Sequence, residues 1–514
     1  GRSKVLLDPF MGSGTCIVEA LSLGLKAIGI DINSVAWFIA KKAIEPINIT
    51  RLEDAFHHVL KALEPLARKL YVTIDEKGRR RMARAFYWVK WVRCENCGSP
   101  VMLFKTYKLV RLRSSVWVYC PHCGSVSLVK DVELLRCPRC GKQLRPFSEG
   151  QRYTCLSCGY SGLITSAVSK YGKPGMKLFA VMYRDENGVI RVKAADEFDV
   201  ETYHKAELMA EEIADFLDLE IRYGEETKRI IRYGYNIFRE LFNARQLVML
   251  YEALKAISSF DKEVREALII ALSKTAAFSS ILTPYTYKEG KPESMFALHQ
   301  YMHEKMYLEI NIVDDIRGSL RRNIASLIRA KKYTSDIIGN VEIADDTNAF
   351  VKGDVLLLRG SATNIELRND CVDLVVTDPP HFGNVVNSGI ADFFYAIMAP
   401  LLKKSYREFD ERYSCNDSDE IVFDLERGKT SDSFHEMLTK ALAEIRRVLK
   451  PSGIMVLLFR HRRRDVWDLL YSALDYAGFR LVREWTLKCE SDLQPQARHV
   501  EAREAALVCR PLKG

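Results

Sequence analysis

No stretch of the 514 residues approaches the roughly eighteen uninterrupted apolar side chains of a membrane-spanning helix. A signal-peptide pattern is missing too. So are long low-complexity tracts and any repeat beyond one set of cysteine knuckles. These absences argue against membrane, secreted and fibrous classes and lead us to expect a cytoplasmic protein. An acidic excess is also lacking. Lys and Arg number 76 against 67 Asp and Glu, a formal net charge of +9. That balance permits a polyanionic partner without requiring one. A disulfide framework is not expected in a chain of this length without a secretion signal. Of 13 cysteines, Cys16, Cys371, Cys415, Cys489 and Cys509 are isolated, and the other eight form C-x2-C pairs. The sequence opens at Gly1 with no initiator Met, a few residues ahead of its first strand, and so reads as a fragment.

What is present is an ordinary globular composition, 48% hydrophobic and 28% charged. The length exceeds one ordinary core, and two to four domains are expected. Residues 4–8, KVLLD, form a short apolar run ending in a turn at Pro9 to Gly14. Helical spacing follows from Thr15 to Leu23, stopped by Gly24, and a second apolar run from Ala27 ends at Asp31. This order is one βαβ unit of a doubly wound sheet. The α/β pattern resumes late. Strands are expected at Val355–Leu358 and Val372–Thr377, and a helix over 433–449 leads through Lys450-Pro451-Ser452-Gly453 to IMVLLF. A helix over 466–477, the strand FRLVREW and a last strand at Ala505–Cys509 complete it. The expected fold is a Rossmann-like α/β sheet interrupted by a large insertion with zinc ribbons and a mainly helical region. Its segments are 1–50 with the cofactor loop, a helical and basic connector at 51–90 and a double zinc ribbon at 91–165. A hairpin plus helical target-recognition insertion at 166–345 and the catalytic half at 346–514 follow.

Two loops carry chemistry. Asp8-Pro9-Phe10-Met11-Gly12-Ser13-Gly14-Thr15 joins a strand to a helix. Its glycines allow a tight turn and close ligand approach, and a helix N-terminus offers unpaired amides to a carboxylate or phosphate. Asp31 closes the next strand, placed to accept from ribose hydroxyls. Spacing alone does not separate S-adenosylmethionine from a dinucleotide, but there are two glycines and no third to complete the dinucleotide fingerprint. The second loop is Thr377-Asp378-Pro379-Pro380-His381-Phe382. Its prolines remove two donors and fix the backbone, leaving carbonyls beside the Asp378 carboxylate. That is an acceptor cluster for an amine with two N–H bonds. An aromatic amine such as adenine N6 is a poor nucleophile. Hydrogen bonds to Asp378 and the Pro379 carbonyl would favour a pyramidal nitrogen whose lone pair points at a sulfonium methyl. A target base must leave its duplex to reach such a site, and His381 or Phe382 is placed to stack on it.

The C-x2-C pairs are Cys94/Cys97, Cys120/Cys123, Cys137/Cys140 and Cys155/Cys158, each followed by Gly. Such a knuckle turns two thiolates onto one tetrahedral ion. Eight ligands suit two Zn2+. Consecutive grouping would place Cys94, Cys97, Cys120 and Cys123 on one ion and the rest on the other, with an interleaved cross-brace as the alternative. The expected role is structural. A basic, aromatic run from Arg79 through Arg84, Tyr87, Trp88 and Trp91, with Lys105, Lys108, Arg111 and Arg113, would suit backbone contact and base stacking or form a solvated face. Arg460-His461-Arg462-Arg463-Arg464, after a core strand, would suit phosphate contact or a solvated loop.

The two loops resemble those of amino-methyltransferases, D-P-F-x-G-S-G-T and D-P-P-Y. The chain also resembles the archaeal and bacterial adenine-specific DNA methylases that contain a zinc ribbon. LFNARQL at 241–247, DFFY from Asp392, RVLKPSG and the terminal ALVCRP carry that likeness. The resemblance implies that Asp8, Phe10, Gly12, Gly14 and Thr15 hold the methionine end of S-adenosyl-L-methionine and Asp31 its ribose. Asp378, Pro379, Pro380 and His381 would form the catalytic loop. Three departures stand out. His381 occupies the position usually held by an aromatic ring. Ser361, in Arg359-Gly360-Ser361-Ala362, stands where an acid usually reads the cofactor adenine, with Asp354 placed too early to replace it. The family also has a region ahead of the cofactor loop that this sequence does not show. The expected function is methylation of an exocyclic amine of a DNA base, adenine N6 before cytosine N4, with DNA favoured over RNA as partner. The alternatives are an RNA base methyltransferase and a catalytically inactive zinc-ribbon nucleic-acid-binding protein.

Overall fold

The computed structural model describes residues 4–131, 136–144, 148–288, 290–298, 300–383, 387–487 and 503–512. Cys489 lies outside them. Two compact units emerge. One is Gly1–Ile49, Arg329–Tyr395 and Ala399–Gly514; the other is Thr50–Ile328 with Ala396–Met398. No helix among the described residues is long and apolar enough to cross a membrane.

The first unit is built on one eight-stranded sheet. In chain order its elements are β1 (Val5–Asp8), α1 (Thr15–Ser22), β2 (Lys26–Asp31), α2 (Ser34–Ile44), β3 (Ile343–Ala344), β4 (Val355–Arg359) and β5 (Val372–Thr377). Then come α3 (Asn387–Leu402), α4 (Ser431–Val448), β6 (Leu449–His461), α5 (Arg464–Tyr476), β7 (Phe479–Thr486) and β8 (Arg503–Pro511). The strand order is β3-β4-β2-β1-β5-β6-β8-β7. The first six strands pair in parallel, and β8 runs antiparallel to both β6 and β7.

The central strands read as continuous apolar runs because both faces of a mostly parallel sheet are covered. Helix α4 shows the complementary pattern. Phe434, Leu438, Ala441, Leu442, Ile445 and Val448 recur at helical spacing, all are buried, and they join Trp467, Leu470 and Leu474 of α5 in one core. Each large side chain there contributes about 2 kcal/mol by leaving water. Lys450-Pro451-Ser452-Gly453, expected as the link from helix to strand, is instead a bulge within β6. Val372 pairs with Leu449 and Leu374 with Ile454, so four residues of β6 oppose one of β5. The residue opposite is Asp373, which accepts from the Val5 amide (3.0 Å), Lys4 (3.0 Å) and Lys450 (2.9 Å). A charge inside an apolar strand is thereby satisfied.

The second unit centres on an antiparallel sheet. Its 14-residue strand Arg80–Arg93 lies between Gly175–Arg184 and Met306–Ile310, and Ile190–Ala194 flanks Gly175–Arg184. Strands from the expected connector, ribbon and hairpin segments therefore share one sheet. The hairpin at Asp185-Glu186-Asn187-Gly188 forms as expected, with Gly188 at φ +75°. The centre of the basic aromatic run is internal. Residues 83–90 are all buried, Trp88 donates to Glu309 (2.7 Å), and Lys105, Lys108 and Arg111 each hold a carboxylate. Met306–Ile310, in a stretch expected to be helical, is a fully buried strand.

Candidate functional site

The order β3-β4-β2-β1-β5-β6 reverses direction between β1 and β5, and ligands bind at the carboxyl ends of strands at such a switch point. Leu7 pairs with Val375, so β1 and β5 deliver the two motif loops side by side. Their link is direct. The Thr377 hydroxyl donates to Asp8 Oδ1 (2.7 Å), which also accepts from the Phe10 amide (3.2 Å). Burial pushes the Asp8 carboxyl up to about 6 against those hydrogen bonds.

Asp31 plays a part that spacing did not reveal. One carboxylate oxygen accepts from the Gly12 amide (3.0 Å) and the other from the Asn33 amide (2.8 Å). It thus pins the Gly loop to the end of β2, and burial outweighs those bonds to push it up to about 6. Gly12 adopts φ +51° with open space where a Cβ would stand. Gly14 (φ +85°) packs on α2, where a Cβ would fall 2.9 Å from Ala40 Cβ. Among the described residues no side chain caps α1, which leaves its first-turn amides open to a ligand. Thr15 is exposed in that first turn, and Phe10 is half-buried against the core. A cradle open over Gly12, bare helix amides and two carboxylates fit a ligand that carries a carboxylate, an ammonium and a ribose. Gly14→Ala is expected to destabilise the fold by about 2 kcal/mol, from left-handed strain and the Ala40 contact. Urea unfolding checks this.

Beyond β4, Arg359-Gly360-Ser361 borders a cavity of about 700 Å³ with Ile30, Trp37 and Tyr406. Its volume falls in the range of small-ligand sites, although Asp8 and Asp378 are not among its walls. The Ser361 hydroxyl is shared with Thr363 (2.8 Å) and accepts the Thr363 amide (3.2 Å). Asp354 sits at the other end of β4, bonded to the Glu342 amide (3.1 Å).

On the catalytic loop, Asp378 is exposed and Pro379 buried. Desolvation by surrounding protein and the charge of Glu504 push the Asp378 carboxyl upward, and His381 opposes them. The structure separates His381 from Phe382, which the sequence left as equal candidates for stacking. Phe382 is 4% exposed, stacked on Phe423 (4.6 Å) and edge-on to Phe434. It belongs to the core. His381 is half-buried, and its Nδ1 is a buried atom with no hydrogen-bond partner among the described residues.

Two supports were not legible. His461, within the Arg-rich run, is buried edge-on to Phe382 and accepts the Arg463 amide at Nδ1 (3.1 Å); burial lowers its pKa. Arg463 pairs with Asp465 and covers the Phe382 ring (5.5 Å). Further on, Glu420 accepts the Ser388 amide (3.0 Å) and hydroxyl (2.6 Å), and Arg427 joins Asp417 and Asp424 to this group. No spacing rule marks these residues.

All eight paired cysteines assemble, but in neither expected grouping. Cys94, Cys97, Cys155 and Cys158 form one cluster and Cys120, Cys123, Cys137 and Cys140 the other. The inner site is nested within the outer. The four knuckles are alike. Each first cysteine amide donates to the carbonyl five residues on (2.8–2.9 Å), and each following Gly has φ of +70° to +74°. Sulfur separations of 3.6–3.7 Å match the roughly 3.8 Å of a tetrahedron with Zn–S bonds near 2.3 Å.

Comparison with known proteins places the amino-terminal segment. Residues 2–42 match a family model described as DNA methylase. Over 52 residues the chain is 46% identical to the type II methyltransferase M.MvaI of Kocuria varians, covering 10% of this chain and 12% of that protein. Over 66 residues it is 32% identical to the type II methyltransferase M.MjaII of Methanocaldococcus jannaschii, covering 13% and 12%. The chain thus spans about an eighth of the length of the curated relatives it matches. Among solved structures, TTHA0409 of Thermus thermophilus, complexed with S-adenosyl-L-methionine, aligns at TM-score 0.18 and 17% identity over 30% of this chain and 52% of its own. A TehB-like SAM-dependent methyltransferase of Corynebacterium glutamicum aligns at 0.16 and 16% over 32% and 59%. Residues 2–42, which span β1, the Gly loop, β2 and most of α2, are thus the part of the chain that is similar to DNA methylases.

Proposed function

We propose that this chain is an S-adenosylmethionine-dependent methyltransferase that acts on an exocyclic amine of a DNA base, adenine N6 before cytosine N4. One observation carries the reading. The Gly loop and the Asp-Pro-Pro loop end adjacent parallel strands, tied by the Thr377–Asp8 hydrogen bond. The DNA methylase match and the relatives' description as type II methyltransferases support DNA as the substrate.

Asp8 would hold the cofactor's ammonium, and the first-turn amides of α1 with Thr15 its carboxylate. Asp31, already fixing the loop, would take the ribose, and Ser361 would face the adenine in place of an acid. The bound cofactor supplies an electrophilic sulfonium methyl. Asp378 and the Pro379 carbonyl accept the two amine protons and turn the nitrogen lone pair outward. His381 stacks on the extruded base. When the amine nitrogen gains the methyl, whose bond to the sulfonium sulfur breaks to leave a neutral thioether, Asp378 would take the proton the nitrogen releases, a task its raised proton affinity suits. Each cysteine cluster would hold one Zn2+ in a structural role.

Asp8 and Asp31 give the cofactor affinity a pH dependence. Both carboxyls stand at about 6 in the folded protein, so the ionised forms that an ammonium and ribose hydroxyls need predominate above that value. Affinity measured by calorimetry is expected to be flat above about pH 7 and to fall about tenfold per unit well below pH 6 for each required carboxylate. Stability runs the other way. A carboxyl raised from its ordinary value binds more protons folded than unfolded, so its contribution falls as pH rises through the window from about 4 to 6. Asp8→Asn is therefore expected to resist urea better than the wild type at pH 7.5, by about 1–3 kcal/mol, and to match it near pH 4.

The activity test uses methyl-tritiated S-adenosylmethionine with unmethylated DNA and total RNA offered separately. Label in DNA upholds the proposal, and label confined to RNA overturns it.

A further inference from the structure

Residues 91–180 contain fourteen Lys and Arg but only four Asp and Glu, a net of +10 in a chain whose total is +9. The rest of the sequence is balanced to within one charge, so the whole basic excess lies in the segment that contains the cysteine clusters. Part of it is internal. Lys105 pairs with Glu304, Lys108 and Arg111 share Asp131, and Lys173 pairs with Glu240. Among the described residues no carboxylate pairs with the exposed Arg93, Lys130, Arg139, Lys142 or Lys177.

A small cavity of about 150 Å³ opens within this basic region. Its floor is aromatic. Phe104, Tyr119 and Phe179 pack with centroids 4.8–5.6 Å apart. One wall is Pro121, from the Cys120–Cys123 knuckle; the other is Leu156, from the Cys155–Cys158 knuckle. The two metal clusters thus each contribute a wall. Leu156 is 66% exposed, a large apolar side chain left in water at the rim. Lys177, also exposed, lines the same cavity. A cavity of this size admits a single aromatic ring. Aromatic floor, apolar wall and unpaired cations together are the elements that hold an unpaired nucleotide without reading its sequence.

We propose that the double cysteine-cluster segment is a DNA-docking surface in its own right. One unpaired base enters the pocket between the Pro121 and Leu156 knuckles, and the strand's phosphates lie along Lys177 and the neighbouring unpaired cations. The cysteine sites hold the two walls at a fixed separation. The proposal rests on the DNA methylase reading only for the choice of DNA as the polyanion.

The test uses the full zinc-loaded chain without S-adenosylmethionine, and a fluorescein-labelled deoxyoligonucleotide of mixed sequence. Anisotropy is followed between about 50 and 200 mM salt, the range over which phosphate contacts dominate affinity. Leu156→Glu and Lys177→Glu are compared with Val351→Glu, which matches the charge change of Leu156→Glu at an exposed site on the other unit. Each pocket variant is expected to weaken binding about tenfold or more, and Lys177→Glu to flatten the salt slope by about one. Val351→Glu should bind as wild type. If Leu156→Glu loses zinc, Lys177→Glu decides. Wild-type affinity and slope in the zinc-retaining pocket variants would overturn the proposal. So would tenfold tighter binding of the ribo form of the same oligonucleotide. A chain that binds DNA without methylating it would sink the proposed activity and leave this surface standing.

Discussion

Asp378→Ala is expected to lower methyl transfer to DNA at least about 100-fold while leaving S-adenosylmethionine affinity within about twofold. The first figure follows from removing an interaction made to the reacting atom, which typically costs two to three decades. The second follows from position. Asp378 ends β5, whereas the Gly loop is held by Asp31, Phe10, Gly12 and the packing of Gly14 on Ala40. Single-turnover rates and calorimetric titration read the two quantities separately. If affinity and rate fall together, Asp378 is a structural support of the cofactor loop, acting through its charge on Asp8. Asp378→Asn sharpens the distinction. It keeps the shape and one acceptor but has little capacity for the departing proton, so its rate should respond to pH less than that of the wild type.

The second large effect concerns zinc. Loss of a four-thiolate structural site removes about 10 kcal/mol or more of coupled metal-binding and folding free energy. Replacing one ligand is therefore expected to empty one whole site. The nested grouping makes a stoichiometric prediction that consecutive grouping does not share. Cys94→Ser and Cys155→Ser should each leave one zinc per chain, and the double variant should still leave one, because both act on the same ion. Cys94→Ser with Cys120→Ser should leave none. Consecutive grouping predicts the reverse for both pairs. Metal analysis of purified protein reads the result directly.

The contrast between these sites shows what a sequence carries. The Gly loop and Asp-Pro-Pro loop were legible because their chemistry is local: consecutive residues between a strand and a helix, or just past a strand. The cysteine knuckles were legible for the same reason, since each closes on itself within six residues. Which knuckles share an ion depends on how sheets bring together residues up to 64 positions apart, and no spacing within a knuckle encodes that. Met306–Ile310 was read as helical because a strand buried on both faces loses its alternation. The Arg79–Trp91 run misled for a related reason. Its aromatics and cations suggested a surface, yet the strand is covered on both sides, and residues 83–90 are buried. Phe382 and His381 are neighbours in sequence with opposite fates, one in the core and one at the site. That difference arises from Phe423, Phe434 and His461, which reach the loop from elsewhere in the chain.

The most direct test of the account is the identity of the methylated nucleoside. Unmethylated DNA would be incubated with the chain and labelled S-adenosylmethionine, digested, and analysed by mass spectrometry. The account predicts label in N6-methyldeoxyadenosine, produced by an amine held between Asp378 and the Pro379 carbonyl. Label in 5-methylcytosine, a carbon centre with no N–H for those acceptors to hold, would contradict it.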